Sequence, residues 1–498
     1  MKSRVSSAPR ESCGVVGVKC PREDAASRIY WALLTLNHRG HESYGIAVLK
    51  PDGSMLVERG LGLVSDLAIE KLNGWKKSLK GKLGIGHVRY ATSGQLSGKV
   101  DLLADAQPTI GEHLGKRLCI AFNGNITNLL QVLREFTGET ALQGGRSDIH
   151  VLLHLLVREY AESSLVDALK LVCEKLDGAY AITGLTDDGE LFAFKDPHGI
   201  RPLSYGLSED GDLIGAASES VALSVNGIRD SEVLKPGELI LVGDGEIERK
   251  IIESRSEAFC AFEYAYFARP DSKFRGGRYV YEVRRELGRR LAQRYREVAE
   301  RVDVIVPVPQ TAEDAAYGFH LETGKPIEPM IVRHRYLRHR AFITPREQRE
   351  LILSHKYNLL LDKVRGRRVA LIDDSIVRGD TLRHLICTLK GAGAREVHVF
   401  STFPKISNPC FYGIDMATFQ ELIGFNRDEE EIARLLEADS VNYQQITDLC
   451  EAAGTRNLCL ACVTGRYPTP YAQKLAERCR RLTLEGKKIE GRLFETVG

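Results

Sequence analysis

Apolar residues recur along this chain in two rhythms. In the first half they form short runs: CGVVGV (13–18), YGIAVLK (44–50), LGIGHVRYA (83–91), RLCIAFNG (117–124), AYAITGL (179–185) and ELFAFKD (190–196). Runs of this length predict strands, and the pairs Asp52-Gly53, Asp188-Gly189 and Asp244-Gly245 mark turns between some of them. Two stretches switch to helical spacing, 25–37 and 148–176, the second broken near Ser163-Ser164. Strand runs bracketing a few helices predict a layered α+β unit.

The second half has another pattern. Residues 279–300 place Val283, Leu287, Leu291 and Tyr295 on one helical face. DVIVPVP (303–309), RVALIDDS (368–375) and HVFSTFP (398–404) are apolar runs without alternation. Such strands are buried on both faces, as in a parallel sheet. Helical stretches fall between them, including 380–392. This predicts a doubly wound α/β unit with ligands at the carboxyl ends of its strands. The boundary is expected near 250–260. Residues 427–439 read as an exposed charged helix, and the basic tail from Lys474 as a docking helix.

Composition narrows the function. Lys plus Arg number 69 and Asp plus Glu 67 in 498 residues. That near-balance argues against a general nucleic-acid binder, which needs a cationic surplus. No apolar run approaches the roughly 18 to 20 residues that span a bilayer. Residues 1–12 carry Lys2, Arg4 and Arg10 without an apolar core, unlike a secretory signal. A cytoplasmic protein is expected. Eleven cysteines, an odd count, do not suggest a disulfide framework.

The most specific motif is VALIDDSIVRGDT (369–381). An apolar strand ends in Asp373 and Asp374, and a short loop then opens a helix. Loop amides at a helix start can hold a phosphate, and paired carboxylates can grip ribose hydroxyls directly or through Mg²⁺. The stretch resembles the phosphoribosyl-pyrophosphate (PRPP) signature of type I phosphoribosyltransferases, in the version used by the glutamine amidophosphoribosyltransferase family. The resemblance extends, in the family's order, over roughly residues 11–470. It takes in DPHGIRPL (196–203), ASES (217–220), LKPGELI (234–240), FEYAYFARPDS (262–272) and YGIDM (412–416).

What the resemblance implies is specific. The fold would be an α+β N-terminal nucleophile glutaminase sandwich over 13–255, followed by an α/β type I phosphoribosyltransferase domain over 256–470 and a tail helix over 471–498. Residues 1–12 would be a propeptide cut between Ser12 and Cys13, so that the freed amine of Cys13 serves as base for its own thiol. HRGHESYGIAV (38–48) places Arg39 beside the nucleophile, and GHVRYAT (86–92) offers Arg89 for the glutamine carboxylate. FNGNITN (122–128) supplies Asn123 and the Gly124 amide as an oxyanion hole, and RSDIHVL (146–152) supplies Asp148 for the substrate amine. For PRPP it points to Asp373, Asp374, Ser375, Arg378, Gly379 and Thr381, with Arg340 and Lys356 from a flap. Thr311, Asp373 and Asp374 would hold Mg²⁺.

Three features depart from the pattern. The flap RYLRHRAFITP (335–345) has one extra residue and Ala341 for the usual Thr. PREQREL, which follows in the flap, is scrambled. Asp380 stands where a Thr hydroxyl normally meets the 5′-phosphate. A buried carboxylate there would repel phosphate, so Asp380 must either turn outward at the helix start or mark a changed acceptor site.

Cys260, Cys410, Cys459 and Cys462 fall where one branch of the family carries a [4Fe–4S] cluster. The Cys459-Leu-Ala-Cys462 spacing by itself equally suits zinc, a redox pair or packing. The implied reaction is glutamine, PRPP and water to 5-phosphoribosylamine, glutamate and pyrophosphate, the first committed step of purine synthesis. The implied assembly is a homo-oligomer, a tetramer in this family. Two other readings stay open: a glutaminase with an altered PRPP-like domain, and a PRPP sensor.

Overall fold

The computed structural model describes residues 13–67, 69–90, 103–135, 147–243, 246–334, 357–416 and 418–487. The expected turn at Asp244-Gly245, the flap residues Arg340 and Lys356, and residues 1–12 lie outside them.

The first half contains two antiparallel sheets. One runs, in spatial order, Asp230–Val233, Ser204–Leu207, Ile214–Ala217, Gly14–Lys19, Leu83–Arg89, Ser43–Leu49 and Met55–Leu61. The other runs Ile247–Ile251, Glu238–Val242, Leu191–Lys195, Gly178–Thr186, Lys116–Ile126 and Thr109–His113. Val15, Ala47 and Ile85 of the first pack on Cys119, Ala121 and Ala181 of the second. Helix Ala25–Thr35 covers the outer face of the first sheet, and Asp148–Glu162 with Leu165–Lys175 covers the second. Both faces of each central strand are therefore dry. That explains continuous apolar runs in antiparallel strands, which alternate only when one face is wet. Gly17 marks how closely the sheets approach: a Cβ there would lie 2.9 Å from Leu191 Cδ1. The helix break at Ser163-Ser164 is real, because Ser164 Oγ accepts from Asp167 N–H and caps the second helix.

The second half is built on a parallel sheet ordered Val304–Pro307, Arg368–Asp373, Glu396–Ser401 and Ser440–Tyr443. Helices Val280–Arg294 and Glu313–Thr323 cross so tightly that a Cβ on Gly288 would sit 1.8 Å from the Ala315 carbonyl. Helix Asp380–Gly391 buries Leu382, Leu385, Ile386 and Leu389. The charged segment expected as an exposed helix forms a shorter one, Glu429–Leu436, with Ile432, Ala433 and Leu436 buried. Its acidic face is wet and its apolar face is core.

A third core joins the halves. Ala179 and Ile200 from the first meet Phe259, Phe262, Tyr264, Phe403, Phe411, Tyr412, Leu449 and Leu475 from the second. The tail helix, Pro470–Leu484, is held here: Asp177 of the first half accepts from Thr469 Oγ1 at 2.6 Å and from Tyr471 N–H at 2.9 Å.

Candidate active site

Two groups of reactive side chains stand in the two halves, which buried ion pairs of Arg39 and Arg201 with Glu263 tie together. The first surrounds Cys13, at the head of strand Gly14–Lys19. Cys13 is buried, its Sγ accepts from Tyr90 N–H at 3.4 Å, and the thiol lies as close to the Tyr90 carbonyl. Burial pushes its pKa up; the Tyr90 backbone, Arg89 and Arg201 pull against that. Arg89 ends strand Leu83–Arg89. Its Nη2 reaches Asp105 at 3.2 Å, and its buried Nη1 has no hydrogen-bond partner among the described residues. Asp148 opens helix Asp148–Glu162 and acts electrostatically on Cys13.

Asn123 and Gly124 lie on the buried strand Lys116–Ile126. Asn123 Nδ2 donates to Ser218 Oγ at 3.5 Å, and the same hydroxyl accepts from Val15 N–H at 3.0 Å. Ser218 thus links the strand behind the nucleophile to Asn123. Gly124 has no room for a side chain, since a Cβ would fall 2.0 Å from the Ala179 carbonyl. Next to it, Asn125 Nδ2 donates to the Phe411 carbonyl at 2.9 Å, and Gly413 packs on Gly124. Strand Lys116–Ile126 therefore rests on a loop of the second half.

Arg39 stands beside Cys13, as its segment implies. Its guanidinium binds Glu219 and Glu263, and its Nε donates to the Cys13 carbonyl at 3.3 Å. Arg39, Glu219, Glu263 and Arg201 are all fully buried. Burial alone would raise Glu219, yet His38, Arg39 and Ser272 hold its carboxyl below the usual carboxylate range.

The second group lines a cavity of about 550 Å³ at the carboxyl ends of the parallel strands. Thr311, Asp373, Asp374, Ser375, Gly379 and Thr381 all reach its wall. Asp374 accepts from Thr311 Oγ1 and from Ser375 Oγ, the latter at 2.7 Å. Burial pushes its pKa up, with both hydroxyls pulling against it. Gly379 takes φ +86°, open to glycine and strained for other residues, and starts helix Asp380–Gly391. Asp380 is exposed, follows the Gly379 N-cap as the first residue of the helix, and is not among the residues of the cavity wall. Arg378, expected at PRPP, instead pairs with Glu421 at 3.1 Å and is not part of that wall either.

The four selected cysteines converge. Cys260 and Cys459 are register partners on parallel strands, and the charges of Cys410, Cys459 and Cys260 each act on Cys462. Burial pushes the Cys260 thiol up to about 12 and also raises those of Cys459 and Cys462 well above the ordinary thiol range. Among the described residues, no three His, Cys, Asp or Glu side chains are grouped so as to hold a metal ion. No helix among them is long and apolar enough to cross a membrane.

Ser218, Glu219, His38 and Arg201 were not singled out from sequence. A lone Ser, Glu or His has no signal without its fold. ASES (217–220) and HRG (38–40) drew notice only as family segments.

Residues 94–225 match the family model described as a glutamine amidotransferase domain. The chain is 39% identical over 476 residues to the amidophosphoribosyltransferase of Methanothermobacter thermautotrophicus, covering 94% of this chain and 97% of that protein. It is 37% identical to the Bacillus subtilis enzyme of the same name, covering 93% and 95%. Among solved structures, the B. subtilis glutamine PRPP amidotransferase complexed with ADP and GMP superposes with a TM-score of 0.82 at 35% identity, covering 92% of this chain and 98% of that one.

Proposed function

The chain belongs to the amidophosphoribosyltransferase family, and from that premise we infer how its residues divide the reaction. It is a glycosyltransferase with glutamine amidotransferase activity, its glutaminase and phosphoribosyltransferase folds joined in one chain. Residues 13–255 carry the first and 256–470 the second, with the tail helix from 471. The observation that carries the reading is the chain of hydrogen bonds from the Cys13 carbonyl through Arg39, Glu219 and His38 to the wall of the carboxylate-lined cavity, which connects two unlike sites in one molecule.

Cys13, freed from residues 1–12, attacks the glutamine carboxamide. Arg89, through its unpartnered Nη1, holds the substrate carboxylate, and Asp148 its amine. Asn123 and the Gly124 amide stabilise the tetrahedral oxyanion, and each such donor is worth about 3 kcal/mol. Ammonia released here must stay out of bulk water, where it would protonate and lose its lone pair. At the second site, loop amides from Ser375 to Thr381 and the following helix N-terminus hold the 5′-phosphate, and Asp373 and Asp374 hold the ribose. Ammonia displaces pyrophosphate at C1. Arg340 and Lys356 would meet the pyrophosphate. PRPP binding at this site switches on the glutaminase by shifting the population of the active state.

The oxygen donors of Thr311, Asp373 and Asp374 suit Mg²⁺, a hard cation that would neutralise pyrophosphate as it leaves. The iron–sulfur cluster reading rests on the thiol chemistry of the buried Cys260, Cys459 and Cys462 and the half-buried Cys410, from three chain segments with no carboxylate among them, although these side chains are not grouped around a metal in the described structure. About four iron and four sulfide per chain after anaerobic purification supports the cluster; one zinc and no sulfide refutes it. The expected setting is a cytoplasmic homo-tetramer. The test of the function is glutamate and pyrophosphate release with and without PRPP and Mg²⁺.

A further inference from the structure

The buried charges between the two sites have no part in either reaction as just described. We propose that His38, Glu219 and Arg39 are positioning residues, a relay by which a ligand in the phosphoribosyl cavity sets the main chain of Cys13. The proposal rests on the two-site reading above.

Among the described residues of the cavity wall, His38 alone comes from the first half of the chain. Its Nε2 lies 2.7 Å from Glu219 Oε1, and an ionised carboxylate can only accept, so His38 donates. The same oxygen accepts from Arg39 Nη1 at 2.5 Å. The other Glu219 oxygen accepts from Arg269 N–H at 3.0 Å and from Ser272 Oγ at 2.6 Å. Ala268, Arg269 and Pro270 also line the cavity. Glu219 is therefore clamped by the cavity wall on one side and by Arg39 on the other.

Arg39 continues the chain. Glu263, in the π-helical turn Glu263–Phe267, takes Arg39 Nη2 at 2.6 Å and Nη1 at 3.0 Å. Arg39 Nε then holds the Cys13 carbonyl. Three links join the cavity to the nucleophile, all beyond His38 fully buried. Low dielectric makes each link stiff and costly to break. Cys13's amine and thiol hang on the same Cα, one bond from that carbonyl. A shift of the carbonyl therefore re-aims both the base and the nucleophile. A ligand that presses on His38 or the 268–270 wall acts on Glu219, and Glu219 cannot move without Arg39.

The test uses full-length holoenzyme and the variants His38→Ala and His38→Gln. Two rates are read: glutamate release with and without PRPP and Mg²⁺, and pyrophosphate release with ammonium salt in place of glutamine. In His38→Ala the stimulation of glutamate release by PRPP falls about tenfold, within the usual range of coupling between sites. Ammonia-dependent pyrophosphate release falls far less than that stimulation does. His38→Gln, whose amide can donate to Glu219, recovers most of the stimulation. Stimulation undiminished in His38→Ala overturns the relay. So does a parallel fall in ammonia-dependent release, which would make His38 part of the transferase site. Wild-type glutamate release indifferent to PRPP would overturn the two-site reading itself, a result separate from either.

Discussion

Replacing Arg89 by Lys tests the glutamine site where its geometry is most specific. Arg89 is buried, spends one terminal nitrogen on Asp105 at 3.2 Å, and leaves Nη1 without a partner among the described residues. A buried unpaired donor costs the folded protein roughly 1–3 kcal/mol. A substrate carboxylate that fills the vacancy returns that cost on binding. Lysine keeps the charge but cannot serve Asp105 and a carboxylate with a planar fork. Losing one charge-assisted hydrogen bond removes about 1.5–3 kcal/mol, which is about 10- to 150-fold in affinity. Since the contact forms with substrate and transition state alike, the loss falls on the KM for glutamine, with kcat nearly unchanged. The assay is glutamate release against glutamine concentration, with ammonia-dependent pyrophosphate release as the control for the second site. A variant whose kcat falls while its KM stands still would refute this placement of Arg89.

Other perturbations separate the remaining parts. Asn123→Ala should lower the kcat of glutamate release by about 10²–10³ and spare ammonia-dependent transfer, as steady-state rates of both will show. Asp374→Asn should abolish transfer yet leave the ligand-free protein as stable or more so at pH 7. Burial raises the Asp374 pKa above its usual 3.8, so the unfolded chain ionises first and the native state loses stability as pH rises through that interval. Thermal melts should show the gap between variant and wild type narrowing as the pH falls toward 4. Asp177→Ala removes a carboxylate that accepts from Thr469 and Tyr471 at the start of the tail helix. It should cost about 0.5–2 kcal/mol and expose the tail to limited proteolysis before the rest unfolds.

The fold was legible where burial is uniform. Runs such as AYAITGL and RVALIDDS became central strands because both of their faces are covered, and the Ser163-Ser164 break became a cap. The short strands Ser204–Leu207, Ile214–Ala217 and Asp230–Val233 were missed. They are four residues each and too short to carry a period. Strand-end residues such as Asp373 and Asp374 could be read directly, because their place at a strand's carboxyl end follows from the pattern. Arg39 and Arg378 were placed by family segments, and Arg39 Nε does reach the Cys13 carbonyl, but the segments gave no sign that the guanidinium groups also pair with Glu219 and Glu263, and with Glu421. These partners are 180, 224 and 43 residues away. A charge finds its partner through the tertiary fold, and a linear pattern holds no record of that distance.

The most direct test of the account is stoichiometry. Purified protein, handled anaerobically, is given glutamine, PRPP and Mg²⁺, and glutamate and pyrophosphate are counted together. Equal amounts, with glutamate release depending on PRPP, are what coupled sites require. Glutamate formed at the same rate without PRPP, and no pyrophosphate, would contradict it.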